Sequence, residues 1–117
     1  MDRTPQEILD HHNQAVFSGD VDAMKFDYTD DALLIGLGGV FKGPDQIAGA
    51  LQQLIAGMPN MRPYDNPKAG ITLEGDTMLL RWALDSDAGT IKDAFDTIVF
   101  KSGKIWRQTT SYEIDPK

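Results

Sequence analysis

The chain has 117 residues, 41% apolar and 25% charged, the length and balance of one globular domain around one core. It contains no cysteine, which excludes disulfides, thiolate metal sites and cysteine nucleophiles. Its net charge of -7, with no basic cluster, argues against nucleic acid or an anionic membrane surface as a partner. No charged-then-apolar leader opens the sequence, and no apolar run nears the ~20 residues of a membrane span. The expectation is a single cytoplasmic domain over residues 1–117.

Thr4-Pro5-Gln6-Glu7 predicts a helix start: a capping threonine, a proline suited to the first helical position and a capping-box glutamate. Ile8, Leu9, His12, Ala15 and Val16 then share one face. Ser18-Gly19-Asp20 ends that helix and opens a short one, with Val21, Met24 and Tyr28 aligned and Asp30-Asp31 at its close. Ala32 to Leu37 reads as a strand ended by glycines. Gly43-Pro44-Asp45 opens a third helix with Ile47, Ala50, Leu51 and Leu54 as its stripe, and Gly57, Pro59 and Pro63 break the chain into a loop. Strands follow over Gly70–Glu74, Thr77–Asp85, Ile91–Lys101 and Lys104–Glu113, with Glu74-Gly75-Asp76 and Lys101-Ser102-Gly103-Lys104 as hairpin turns. Helices first and an antiparallel meander after predict an α+β fold.

Thr77–Asp85 is apolar on both faces, so both should be covered. One face meets the helices. The other, holding Trp82, calls for a second subunit and predicts a homodimer.

Asp96 stands mid-strand, where aspartate is a poor β-former. Such an acid either faces solvent or is buried with a purpose. His12 lies on the apolar helix face, either as a core histidine with a local partner or as an acid–base group. His11, one step round, falls on the polar side and is expected in solvent. Gln108, Thr110 and Tyr112 alternate and share a strand face, either across strands or toward a ligand. Adjacent histidines cannot both reach one metal from a helix, and no HxxxH spacing exists, so no metal site is predicted. Gly36-Leu37-Gly38-Gly39 precedes no helix and is not a phosphate cradle. No serine sits in a nucleophile elbow.

The words AVFSGDVDAM, DYTDDALLIG, FKGPDQI, FDTIVFKSGKI and QTTSYEI, in that order over nearly the whole chain, resemble the SnoaL-like branch of the nuclear-transport-factor-2-like superfamily. The resemblance implies a cone: a strongly curved antiparallel sheet wrapped around N-terminal helices, the cystatin-like α+β roll, commonly dimeric through the outer sheet face. It implies a pocket for a small apolar molecule, with Asp96 and His12 as catalytic candidates. Tyr28, Arg81, Gln108, Thr110 and Tyr112 are candidates to bind the ligand. Asp96 matches the strand position where ketosteroid isomerase keeps a protonated carboxyl, and His12 falls where that enzyme has its oxyanion-hole tyrosine. Its general base aligns with Gly36, so that activity lacks a base here. Arg81 either reaches Asp96, toward the Asp–Arg–Asp set of the epoxide hydrolases of this fold, or points outward; the second aspartate of that set is absent. Such a fold implies cofactor-free acid–base chemistry in which Asp96 and His12 exchange a proton with a compact, largely apolar substrate. Isomerisation, cyclisation, dehydration and hydrolysis all fit. The alternative is a non-catalytic dimer that binds a ligand or a protein.

Overall fold

The computed structural model describes residues 3–117. Helix α1 (Pro5–Ser18) starts with the expected capping box, in which the Glu7 N–H donates to the Thr4 hydroxyl and the Thr4 N–H donates to the Glu7 carboxylate. Gly19 takes the left-handed conformation that ends it. Asp20 caps the short α2 (Val21–Phe26). Strand β1 (Tyr28–Gly36) starts earlier than expected, so Tyr28 is a strand residue and Asp30-Asp31 an exposed part of that strand. A two-residue turn leads into β2 (Gly39–Lys42), and α3 (Gly43–Ala56) follows. The rest is β3 (Arg62–Pro63), β4 (Gly70–Glu74), β5 (Thr77–Asp85), β6 (Gly89–Lys101), β7 (Lys104–Ser111) and β8 (Asp115–Pro116).

The strands form one sheet in the order β2-β1-β7-β6-β5-β3, with β4 also on β5 and β8 also on β6. All pairs are antiparallel except β1 with β7. That parallel pair closes the meander back onto the first strand, which the hydrophobic pattern alone does not reveal. The sheet is curved and unclosed. Its concave side takes the helices: Ile8 and Leu9 of α1, Met24 of α2, and Ile47 and Leu51 of α3 pack with Leu34, Met78, Ile98 and Ile105. Among the described residues no helix is long and apolar enough to cross a membrane.

Irregular register bends the sheet. Trp82 pairs with Ala94 but Leu84 pairs with Ile91, so β6 carries one extra residue there. Ala94 and Ile91 stay buried, while Lys92 and Asp93 both turn out. The faces of β5 are the reverse of the expectation. Met78, Leu80 and Trp82 face the helices, and Leu79 and Arg81 lie on the convex side. There Leu79 remains 45% exposed and Phe95 41%. Each polar group has a partner on its own side: the Trp82 indole N–H donates to Asp96 inside, and Arg81 pairs with Asp93 outside.

Candidate functional site

Register brings the polar side chains of the concave face together. Leu80, Asp96 and Thr110 lie in one row across β5, β6 and β7, and Ile98, Gln108 and Leu34 lie in the next. Between this surface and α1 and α3 is a cavity of about 290 Å³, the space of about ten waters in the liquid. Its walls are mostly apolar, including Leu34, Leu37, Leu54, Leu80 and Ile98. Its polar groups are few: His12, Asn13, Trp82, Asp96, Gln108 and Thr110. A small apolar cavity with sparse convergent polar groups is the usual form of a small-molecule site.

Asp96 is the centre of that set. It is 7% exposed, and its carboxylate accepts from the Trp82 indole N–H at 3.0 Å and from the Gln108 amide N–H at 2.9 Å. The Gln108 carbonyl accepts from the Tyr28 hydroxyl at 2.6 Å. Burial, helped by the negative charges of Asp96 and Asp27, holds the Tyr28 phenol well above its usual range. It therefore stays protonated and donates. Tyr28 in turn meets the His12 ring edge to face at 5.7 Å. The chain of donors runs one way, from Tyr28 through Gln108 to Asp96, which fixes the orientation of the Gln108 amide.

His12 is 6% exposed and lines the cavity, and its Nδ1 is buried with no hydrogen-bond partner. Burial lowers its pKa, opposed by the negative charges of Asp27 and Asp96. The ring is neutral at neutral pH.

The candidates named from the sequence thus separate. Asp96, His12, Gln108 and Thr110 line the cavity. Tyr28 is behind it, bonded to Gln108. Tyr112 does not reach it: its ring packs against Trp82 at 6.1 Å between centroids and faces a second, smaller cavity. Arg81 lies on the opposite face, where it donates to both oxygens of Asp93 at 2.8 and 2.6 Å and stacks over Phe95. It does not pair with Asp96. Trp82, expected at a subunit contact, is a cavity residue and was missed as a site residue. One signal was available in the sequence: a buried indole N–H needs an acceptor, and the strand that follows Trp82 carries Asp96.

His11 is not simply solvated. Its Nδ1 is 2.7 and 2.8 Å from the two oxygens of Asp27, which also accepts from Arg3 at 2.7 Å. Asp27 is fully buried, and a buried carboxylate needs such partners. At Gly36, φ is +131°, and a Cβ would strike the carbonyl oxygen and Cγ2 of Thr110. No side chain fits there, so the cavity gains no second carboxylate from that strand. Among the described residues no cluster of His, Cys, Asp or Glu could hold a metal.

No protein-family model and no curated protein matches the sequence. Solved structures do match. A candidate polyketide cyclase from Sinorhizobium meliloti is 18% identical with a TM-score of 0.74, over 90% of this chain and 94% of the other. IdmH, a candidate polyketide cyclase from Streptomyces antibioticus, is 16% identical with a TM-score of 0.74, over 95% and 93%. An NTF2-like protein of unknown function from Cytophaga hutchinsonii is 14% identical with a TM-score of 0.75, over 97% and 93%. At these identities the likeness shows the fold. The chain has the cone fold of these NTF2-like structures.

The depressed His12 pKa has a measurable consequence. Below about pH 6.5 the unfolded chain binds a proton that the native state resists, so stability falls as pH drops through that value. Carboxylates with lowered values, such as Asp87 and Asp93, act only further down, near about pH 4. Urea unfolding at about pH 7.5 and about pH 5.5 should show a loss for the native sequence and a clearly smaller one for His12→Gln. Equal losses would contradict the buried neutral imidazole.

Proposed function

We propose that the cone binds a compact, largely apolar molecule with an enolisable carbonyl or a hydroxyl, and that Asp96 moves a proton on it without a cofactor. The observation that carries this reading is Asp96 itself, a carboxylate held in the wall of an apolar cavity by two N–H donors. Each of its oxygens accepts one hydrogen bond and has a second lone pair free. That lone pair can take a proton from a carbon next to a carbonyl and return it elsewhere, or take and return a hydroxyl proton.

His12 complements it. An imidazole with an unpartnered buried nitrogen leaves a bare lone pair there more readily than an N–H, which puts the proton on Nε2. A neutral Nε2–H then donates to the oxygen that becomes negative. Gln108 and Trp82 orient the carboxylate, and Tyr28 orients Gln108. Candidate polyketide cyclases share this fold, which supports a reading as a small-molecule enzyme. The competing reading is a binding module without turnover, favoured by the missing second carboxylate at Gly36.

Deuterium exchange at the carbon next to the carbonyl of 2-tetralone, followed by proton NMR, separates the two. The native protein should accelerate exchange, and Asp96→Asn should lose about a hundredfold or more of that acceleration while staying folded. Binding of the ketone without any acceleration of exchange would favour the non-catalytic module.

We also place the dimer contact on the convex face around Leu79 and Phe95 rather than at Trp82. These side chains are on the face that no helix covers, beside the outward Arg81–Asp93 pair. Sedimentation should give a dimer for the native chain and a monomer for Phe95→Glu. A dimer in both would remove this face from the contact. The expected cytoplasmic location stays part of this reading.

A further inference from the structure

Next to the main cavity is a second one of about 210 Å³, between Ala50, Gln53, Leu54 and Gly57 of the α3 end and Tyr112 and Ile114 after β7. Leu37 and Leu54 line both cavities, so the two adjoin at this pair.

Leu37 holds that position in an unusual backbone state. Gly36 and Gly39 pair across a two-residue turn, and both central residues have positive φ, +55° at Leu37 and +86° at Gly38. Turns of this form favour Asn-Gly, and a leucine in the left-handed region is an outlier. Nothing in the turn requires a large apolar side chain. Its destination accounts for it: Leu37 packs against the buried core while closing the cavity end. Strain kept at a cavity wall points to a role for the side chain that strain delivers.

Resting on the ligand-cavity reading above, we infer that the Leu37–Leu54 pair is the length filter of the site. It stops a ligand at the end of the main cavity, and the second cavity is where a longer unbranched apolar tail goes once the pair is trimmed. Ala50, Leu54 and Ile114 offer that tail apolar contact in a lining that also holds the polar side chains of Gln53 and Tyr112. The ring end stays at Asp96, whose open lone pairs accept from a ring hydroxyl.

The test is calorimetric titration with 4-alkylphenols of increasing chain length. Affinity for the native protein should rise with each methylene and then stop rising once the main cavity is full. In Leu37→Ala the rise should continue for further methylenes, at about fourfold each. Leu54→Ala approaches the same wall from α3, away from the strained turn, and should move the limit in the same direction. An unmoved limit in both folded variants would overturn the filter while leaving the cavity reading intact. Failure of every phenol to bind any of the three proteins would overturn both. A purely structural role for Leu37 would change stability without moving the limit.

Discussion

A carboxylate inside a folded core costs on the order of several kcal/mol unless donors surround it. Asp96 meets that constraint with Trp82 on one side and Gln108 on the other, and the rest of the cavity follows from those two bonds. They match the face of β5 that turns inward. They set the orientation of the Gln108 amide, which requires the Tyr28 hydroxyl behind it as a donor. Through Tyr28 they reach the edge of His12. Four strands and one helix thus converge on one acidic group, while the surrounding walls stay apolar.

A second buried acid shows the same rule applied for another end. Asp27 is fully buried, and its partners are Arg3, just before α1, and His11, midway along that helix. Arg3 also donates to the Gly103 carbonyl, so this cluster ties the N-terminal segment to the β6–β7 turn. One carboxylate ties the N-terminal segment into the fold; the other faces the cavity. The difference is in what lies next to them, since Asp96 shares its strand face with Leu80 and Ile98.

Much of the fold was legible in the sequence because its signals are local. The Thr4–Glu7 capping box, the Gly19 stop and the hairpin glycines each act over a few residues, and each is where it was read. The parallel pairing of β1 with β7 joins residues far apart in the chain, such as Leu34 with Gln108, and leaves no local mark. The facing of β5 was read the wrong way round for a related reason. Alternation separates Met78, Leu80 and Trp82 from Leu79 and Arg81 but does not say which set is inside. In the fold, polar partners on β6 match the facing that is adopted, Asp96 within for Trp82 and Asp93 outside for Arg81. Asp96 and His12 drew notice as polar groups among apolar neighbours, and Gln108 and Thr110 as alternating residues of one strand face; all four line the cavity. Trp82 and Leu37 were missed because an indole or a leucine does not stand out.

The central claim is that the hollow holds a small molecule against Asp96. The Trp82 indole N–H reports on it directly, and the indole of Trp106, stacked under Arg107 outside the cavity, is the internal control. We would record nitrogen–proton spectra of the labelled protein while adding a set of compact cyclic ketones and phenols. The account predicts that at least one compound shifts the Trp82 indole resonance in a saturable way and leaves that of Trp106 in place. Compounds that bind but move only Trp106 and residues of the convex face, or a set that leaves Trp82 unmoved throughout, would contradict it.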